Sequence, residues 1–322
     1  MPSHRTRITV IGCGHVGTSC AYAILQNHLA REIVLIGDSE NHVHGEALDL
    51  QQAVPLGTPV KIFAGTYRDA ATSSIAIMTV GTPGKFSGSR LDMLAGNAAI
   101  VRSCIAKLMA EGFDGVLIIA TNPLDVLTYI AQKESGLPAS QIIGTGTLLD
   151  SERFRHILGE KLNVDARSVH AAIIGEHGDS SVAVWSTAQV AGIPLALYPG
   201  AKSLPPQEEI LTSVHRAGPD VAMLKGNTCF AIAACVTRIC EAILRDERSV
   251  LIVSTMLTGQ YGLRDVSLST PCIVGSCGVE TVLELRLNAD EQRSLEASAA
   301  VLKHAYAQLQ QGASLSAPTT SP

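Results

Sequence analysis

The chain has 322 residues, of which 46% are hydrophobic and 16% charged, and its formal net charge is −5. This length predicts roughly two domains with a large buried core. A nucleic-acid surface needs a basic footprint, so the acidic balance excludes nucleic acid as a partner. Because we find neither a signal peptide nor an apolar run of 18 residues, we expect a cytoplasmic protein with no membrane-spanning segment.

The eight cysteines form no CxxC pair, and most of them lie in apolar segments. This pattern predicts reduced core residues, as in a cytosolic protein, and neither disulfides nor metal ligands. The ten histidines show no metal-ligand spacing such as HExxH. We therefore expect no metal site.

The first half of the chain alternates short apolar runs with helical segments. We predict buried parallel strands at residues 7–12, 32–37, 75–81 and 115–121. Strands and helices in this order predict an α/β fold with a doubly wound parallel (Rossmann) sheet. We place this dinucleotide-binding domain at residues 1–144.

After about residue 145 the pattern changes to a mixed α+β domain, which we place at 145–310. Long helices are predicted at 151–162 and 226–246, and antiparallel strands at 249–262 and 270–287. Residues 311–322 have no apolar face, and we expect them to form a disordered tail.

Residues 12–17 read GCGHVG, a GxGxxG turn that follows the first predicted strand and begins a helix. In such a turn Gly12 allows the tight bend, Gly14 the close approach of a pyrophosphate, and Gly17 the packing of helix on strand. The N-terminus of the helix then offers N–H groups to the phosphates. A glycine turn without a ligand is the alternative, but the strand and helix in register favour a dinucleotide.

The second strand of such a domain normally ends on an acidic residue that binds the ribose hydroxyls of NAD. Here the strand ends Ile36-Gly37-Asp38, so Gly37 stands at the expected position and Asp38 points to the other face by strand alternation. Loss of the carboxylate relaxes the rejection of a 2′-phosphate, yet no arginine follows to bind one. The motif favours NAD as the cofactor and does not exclude NADP.

Two polar turns in the second half carry candidate catalytic residues. Asp150 and Arg153 are three residues apart and share one face of a helical turn. The alternative role for Asp150 is to cap a helix that starts near Ser151. An isolated histidine is usually structural, but His177 lies in a glycine-flanked turn after an apolar strand, where catalytic side chains are often displayed.

Taken in order, these motifs resemble the L-lactate/malate dehydrogenase family, most closely the bacterial L-lactate and L-2-hydroxyisocaproate dehydrogenases. The resemblance extends from the glycine turn through GEALDL (45–50), TNP (121–123), LLDSERFR (148–155), GEHGD (175–179) and KGNT (225–228). It implies an oxidoreductase that transfers a hydride between NAD(H) and an L-2-hydroxy acid/2-oxo acid pair. The alternatives are a malate dehydrogenase, a biosynthetic reductase of a bulky 2-oxo acid or imine, and a catalytically silent dinucleotide sensor, against which the intact catalytic residues argue.

The resemblance also implies a role for each polar residue of these motifs. His177 is the acid/base, and Asp150 holds its imidazole and raises its pKa. Arg153 binds the substrate carboxylate through a bidentate fork. Asn122 forms a hydrogen bond near the reacting oxygen and the nicotinamide, and Thr228 lines the substrate pocket.

The glycine-rich stretch GTPGKFSGSR, residues 81–90, resembles the active-site lid of the family, which we place at 81–92. In the lid, Arg90 is implied to polarise the substrate carbonyl. A P-loop is excluded, because its spacing requires glycine at 79 and a hydroxyl at 86, where the chain has Thr79 and Phe86. The remaining alternative is an ordinary surface loop.

Two glycines bear on which substrate the resemblance predicts. Gly84 stands where the malate enzymes carry arginine and the lactate enzymes glutamine. The second carboxylate of malate would then stay unpaired in a closed site, which disfavours malate. Gly218 aligns with a wall that is small in relatives with branched substrates, so we expect a pocket widened for larger side chains. The alternative is that a neighbour such as Phe86 fills the gap.

The resemblance implies two further features. Arg155 and His170 stand at the positions that form the fructose 1,6-bisphosphate site of allosteric bacterial relatives. Paired cations at a symmetry axis repel each other without an anion, so binding would favour the assembled, active form; a solvated arginine and histidine are the alternative. The GEALDL helix resembles the main subunit interface of the family, which implies a homodimer or homotetramer.

Overall fold

A computed structural model describes residues 6–82 and 90–315 of the chain, with side chains described except at 90–92 and 312–315. The strands of the described part are β1 (Arg7–Ile11), β2 (Glu32–Ile36), β3 (Lys61–Ala64), β4 (Ile75–Met78), β5 (Val116–Ile119), β6 (Ile142–Gly144), β7 (Val169–His170), β8 (Ile173–Ile174), β9 (Val182–Ala183), β10 (Gln189–Val190), β11 (Ile193–Pro194), β12 (Ser249–Thr258), β13 (Arg264–Gly275) and β14 (Gly278–Val282). The helices are α1 (His15–Gln26), α2 (Glu40–Ala53), α3 (Tyr67–Ala70), α4 (Arg90–Ala110), α5 (Leu124–Glu134), α6 (Leu148–Leu162), α7 (Gln207–Lys225), α8 (Phe230–Leu244) and α9 (Ala289–Leu315).

The main sheet has nine strands in the order β14-β13-β12-β6-β5-β4-β1-β2-β3. The strands from β1 to β6 pair in parallel, and the order 3-2-1-4-5-6 is that of a doubly wound sheet. The predicted fold class is confirmed. Ligands of such sheets bind where the strand order reverses, which here is the carboxyl end of β1 and β4.

The parallel strands are hydrophobic because both of their faces are covered by helices. In β2, Ile33 and Leu35 belong to one core cluster, and Val34 and Ile36 belong to the other. Successive side chains of a strand point to opposite faces, so the two clusters lie on the two sides of the sheet. Each fully buried side chain of this kind contributes about 1.5–3 kcal/mol to folding.

The predicted antiparallel strands of the second half are present as β12, β13 and β14, and they extend the same sheet. Ser254 of β12 pairs with Gly144 at the end of β6. A Cβ atom on Gly144 would lie 2.8 Å from the Cβ of Ser254, so glycine is what permits the strands to approach here. The antiparallel strands are therefore continuous with the parallel sheet.

Three helix boundaries differ from those expected from the sequence. Helix α6 begins at Leu148, three residues before its predicted start, and α8 begins at Phe230, so residues 226–229 form a loop. Helix α7 was not predicted, and it contains Pro219, a residue that usually ends a helix. Helix α9 continues to Leu315, beyond the expected tail boundary at residue 311, and residues 316–322 lie outside the described part.

One described segment, Met93–Ala110 of α4, is long and apolar enough to cross a membrane by length and composition. The segment includes Asn97, Arg102 and Lys107, so it is not an uninterrupted apolar run, and the expectation that no such run reaches 18 residues is not contradicted. The segment packs on the sheet through buried side chains, namely Leu94, Ala98, Val101, Ile105 and Leu108. This buried face accounts for part of its apolar character, since 39% of the segment is buried.

The eight cysteines are all free, and seven of them are buried. Burial raises the pKa of Cys13, Cys20 and Cys235 to about 12, so these thiols stay protonated and unreactive. Cys277 is the exception to the predicted core placement, because it is exposed in the turn between β13 and β14. Within residues 6–82 and 90–315, no group of three His, Cys, Asp or Glu side chains is arranged to hold a metal ion.

Candidate active site

A histidine–aspartate pair lies between α6 and the turn after β8. His177 Nδ1 lies 2.7 Å from Asp150 Oδ2, although 27 residues separate the two in the chain. Helix α6 begins at Leu148, so Asp150 lies in its first turn, and Thr147 occupies the cap position. The capping alternative for Asp150 is therefore wrong, since its carboxylate bonds to side chains and the helix starts earlier.

Arg153 binds the other oxygen of the same carboxylate. Its Nη1 donates to Asp150 Oδ1 at 2.9 Å, so each carboxylate oxygen holds one basic group. The exposed fractions of the three side chains are 11% for Asp150, 19% for Arg153 and 28% for His177. A Cβ atom on Gly218 of α7 would lie 3.6 Å from Arg153 Nη2, which places the guanidinium against a wall without a side chain.

The charge pattern of the pair favours a protonated imidazole. Burial lowers the pKa of His177, but the hydrogen bond and the negative charge of Asp150 outweigh burial and raise it above its ordinary value. Burial raises the pKa of Asp150. The hydrogen bond to His177 and the charges of His177 and Arg153 have the larger, opposite effect, so the pKa of Asp150 lies below its ordinary value. When Nδ1–H donates to the carboxylate, Nε2 is the atom that can exchange a proton with a substrate.

A buried aspartate that the sequence motifs did not reveal holds the backbone of the turn that carries His177. Asp125 Oδ2 accepts the backbone N–H of His177 at 2.7 Å, and Oδ1 accepts the hydroxyl of Ser254 at 2.6 Å. Burial raises the pKa of Asp125 to about 6, and these two hydrogen bonds oppose the shift. The sequence signal is an ionisable residue inside an apolar helix, residues 124–131 (LDVLTYIA), which is costly unless the charge has partners.

The glycine turn between β1 and α1 has the shape of a pyrophosphate cradle. Gly12 has φ +101°, and a Cβ atom there would lie 2.7 Å from the backbone N of Val80. A Cβ atom on Gly17 would overlap the carbonyl oxygen of Gly12. A Cβ atom on Gly14 would meet no described atom within 4 Å, and no side chain caps the helix that follows. This arrangement fits the pyrophosphate of NAD, for which the N–H groups of α1 would serve as donors.

Asn122 lies at the carboxyl end of β5, beside the point where the strand order reverses. Its carbonyl oxygen accepts a hydrogen bond from Asn97 Nδ2 at 2.7 Å, and Asn97 Oδ1 accepts the backbone N–H of Thr82 at 2.9 Å. Asn97 is 6% exposed. It therefore connects the first residues of the predicted lid to Asn122, a link that the sequence did not reveal.

The structure describes the other predicted substrate-binding residues only in part. Thr228 lies in the loop between α7 and α8, where it is half-buried. Gly84 lies outside the described residues, and Arg90 begins α4 with its side chain outside the description. The roles of Gly84, Arg90 and the lid over 81–92 remain predictions.

The two residues expected to bind a sugar phosphate are neighbours on the second half of the chain. Arg155 Nε donates to the carbonyl oxygen of Ala171 at 3.0 Å, one residue from the exposed His170. Its Nη1 donates to Glu152 Oε1 at 2.7 Å. The guanidinium is thus held at the backbone of the residue that follows His170, and Glu152 partly neutralises its charge.

A doubly wound sheet with a glycine cradle, together with a His–Asp pair next to an arginine, defines an NAD-dependent oxidoreductase. Residues 6–144 match the family model of the lactate/malate dehydrogenase NAD-binding domain, and residues 147–312 match the α/β C-terminal domain of the same family. The chain belongs to the lactate/malate dehydrogenase family, as its motifs indicated.

Relatives and solved structures agree with this assignment. The chain is 42% identical over 307 residues to the L-lactate dehydrogenase of Thermoanaerobacter pseudethanolicus, covering 94% of this chain and 99% of that one. It is 45% identical over 300 residues to the L-lactate dehydrogenase of Nitratidesulfovibrio vulgaris, covering 92% and 97%. The ligand-bound minor L-lactate dehydrogenase of Enterococcus mundtii superimposes with a TM-score of 0.91 at 38% identity, covering 95% and 99%.

Proposed function

We propose that the protein is an NAD-dependent L-2-hydroxy-acid dehydrogenase of the L-lactate type. The observation that carries the proposal is the 2.7 Å contact between His177 Nδ1 and Asp150 Oδ2, with Arg153 on the same carboxylate. Relatives that match more than nine-tenths of the chain are L-lactate dehydrogenases, which supports the same activity.

The reaction converts a 2-oxo acid, NADH and a proton into an L-2-hydroxy acid and NAD. NADH would supply the hydride when bound, and the glycine turn with the N–H groups of α1 would hold its pyrophosphate. His177 gives the proton from Nε2 to the carbonyl oxygen, and Asp150 stabilises the imidazolium before the transfer. The reverse reaction uses neutral His177 as the base.

Four further residues orient the substrate in this proposal. Arg153 holds the carboxylate through the N–H groups that Asp150 does not use. Asn122 bonds near the reacting oxygen, Thr228 lines the pocket, and Arg90 polarises the carbonyl from the lid.

The assignment of His177 is tested by His177→Asn. We expect turnover to be lost while the dissociation constant of NADH stays within about twofold, because the glycine turn is untouched. Asp165→Asn, an exposed carboxylate paired with Arg167, is the matched control for a surface change. An equal loss of turnover and NADH binding would contradict the role of His177.

We also propose that the pocket accepts 2-oxo acids larger than pyruvate. The space beside Arg153, where Gly218 presents no side chain, favours this extension. The test is kcat/KM for pyruvate, 4-methyl-2-oxopentanoate, phenylpyruvate and oxaloacetate with NADH. We expect the branched acid to be used at a rate comparable to pyruvate and oxaloacetate to be poor, because Gly84 offers no charge to its second carboxylate. Pyruvate exceeding both larger acids by a hundredfold would refute the widened pocket.

The discrimination against oxaloacetate is tested separately with Gly84→Arg. The new guanidinium should raise kcat/KM for oxaloacetate relative to pyruvate by about tenfold or more, since pairing a carboxylate in a closed site is worth over ~1.4 kcal/mol. An unchanged ratio would show that residue 84 does not face the substrate.

We further propose a cytoplasmic homodimer or homotetramer that responds to fructose 1,6-bisphosphate at Arg155 and His170, and a functional division into domains 1–144 and 145–310. Leu48, in the GEALDL segment, is 44% exposed, which suits a helix that packs on another subunit. Light scattering with and without the bisphosphate tests both the assembly and the regulation. A monomer that the bisphosphate leaves unchanged would refute both.

A further inference from the structure

The end of β2 lies beside the glycine turn, where the adenine ribose of a dinucleotide is bound in doubly wound sheets. The backbone N–H of Gly12 donates to the carbonyl oxygen of Ile36 at 2.7 Å, which holds the two segments together. Gly37 follows directly and is exposed. It therefore occupies the position from which an acidic side chain usually reaches the ribose hydroxyls.

The space beside Gly37 is taken by a neighbouring side chain. A Cβ atom built on Gly37 would lie 2.7 Å from Val43 Cγ2, and the next nearest atom, the backbone N of Cys13, would be 3.9 Å away. Real Cβ contacts do not occur below 3.0 Å, so an aspartate at residue 37 would require Val43 to move.

Val43 has little freedom to move. It lies in the first turns of α2, is 5% exposed, and packs in the same core cluster as Cys13 and Leu35. Its branched side chain is also stiff about χ1 in a helix. Gly37 and Val43 thus form a matched pair, in which the valine excludes the carboxylate that would otherwise bind the ribose.

The described polar side chains near this position are those of His42, Glu46, Asp38 and Glu40. His42 Nε2 bonds to the carbonyl oxygen of Cys13 at 2.8 Å, and it lies 3.6 Å from Glu46 Oε1. The imidazole of His42 carries no negative charge, so it does not repel an added phosphate. Asp38 and Glu40 are exposed, so water and salt weaken their repulsion of a phosphate.

We infer that Gly37 and Val43 together determine cofactor selectivity, and that this enzyme accepts NADPH as well as NADH. The inference rests on the proposed function and deepens it by naming the cofactor class. A carboxylate next to the ribose favours NAD by accepting from its hydroxyls and rejects NADP by repelling the 2′-phosphate. Without the carboxylate, both contributions to discrimination are lost.

The first test is cofactor binding without a 2-oxo acid, measured by quenching of the Trp185 emission with NADH and NADPH. We expect the two dissociation constants of the wild-type protein to agree within about tenfold. The double variant Gly37→Asp, Val43→Ala restores the carboxylate and the space for it. It should then weaken NADPH relative to NADH by about tenfold or more, as one added charge contact is worth over one order of magnitude.

The single variants distinguish the steric effect of Val43 on residue 37 from the effect of the added charge alone. Val43→Ala alone should leave the NADPH/NADH ratio unchanged, because it adds space without a charge. Gly37→Asp alone should lower the melting temperature, and Val43→Ala should recover part of that loss. The loss of melting temperature and its partial recovery both follow from the 2.7 Å contact between a Cβ atom at residue 37 and Val43 Cγ2.

Other results would overturn the inference. A wild-type protein that binds NADH and rejects NADPH by more than a hundredfold would refute it and leave the proposed function intact. If Asp38→Asn then relaxed that rejection, Asp38 would be the ribose carboxylate. Binding of neither cofactor would instead refute the proposed function.

Discussion

Replacing Asp150 by asparagine removes the charge that favours protonation of His177. A hydrogen bond to a charged group contributes about 1.5–3 kcal/mol, and one pKa unit corresponds to ~1.4 kcal/mol. The two side chains are 11% and 28% exposed, so solvent screens this contact only in part. We therefore expect the pKa of His177 to fall below its wild-type value, because the hydrogen bond and charge that outweigh burial are then lost.

The assay is the pH dependence of kcat/KM for reduction of pyruvate. In the proposed mechanism reduction uses the protonated imidazole, so activity should be present below the pKa of His177 and should be lost as pH rises through it. In Asp150→Asn the loss of activity should begin at lower pH than in the wild type, and kcat/KM at neutral pH should fall by about 10-fold or more, as expected for loss of a hydrogen bond to a charged group. The Kd of NADH should stay unchanged, since Asp150 lies outside the glycine turn.

The free energy of unfolding should also decrease as pH rises through the pKa of His177. A histidine whose pKa is raised by folding contributes stability below its unfolded value near pH 6.5, and this is lost as pH rises through the higher folded pKa. Asp165→Asn removes an exposed carboxylate of a different ion pair and serves as the control. A pH profile of Asp150→Asn that overlays the wild-type profile would refute this reasoning.

Three further predictions concern neighbouring positions. Folding raises the pKa of Asp125 to about 6, so the free energy of unfolding of the wild-type protein should fall by about 1 kcal/mol as pH rises from 5 to 7. Asp125→Asn should not show this decrease. Urea unfolding at the two pH values measures it, and an equal pH dependence in both proteins would contradict the prediction. Gly218→Ala should lower kcat/KM for 4-methyl-2-oxopentanoate about tenfold relative to pyruvate, because a methyl group would enter the space beside Arg153. Gly14→Ala should fold normally and weaken NADH binding, whereas Gly17→Ala should cost about 1–3 kcal/mol of stability through overlap with the backbone; matching effects would refute the separate roles of the two glycines.

Much of the fold could be predicted, because parallel strands buried on both faces are continuous apolar runs. The predicted strands near Arg7, Glu32, Ile75 and Val116 all exist within a few residues. Helix α7 was missed because Pro219 interrupts the local signal, while packing against α6 sustains the helix. The first turn of α6 was missed because Leu148 and Leu149 resemble the end of an apolar strand.

The candidate site was predictable where each residue carries a local motif. Gly12, Gly14 and Gly17 lie within six positions, and Asp150 and Arg153 lie within one helical turn. Asp125 and Asn97 were missed because their partners are distant, 52 residues away for the His177 amide and 25 residues away for the Asn122 carbonyl. Such contacts depend on how the strands are ordered in the sheet.

The sequence by itself determined most of the strand and helix types, the glycine turn and the family, because these depend on motifs along the chain. It also predicted His177 and Asp150 as the acid/base pair through the resemblance to that family. Only the tertiary structure decided that β12 continues the parallel sheet, that Asp125 accepts a hydrogen bond from the backbone of His177, and that Val43 fills the space beside Gly37. The physical reason is that a contact distance below 3 Å is set by packing in three dimensions. The sequence shows only that residue 37 lacks the expected carboxylate. The structure shows that Val43 leaves no space for a carboxylate at this position.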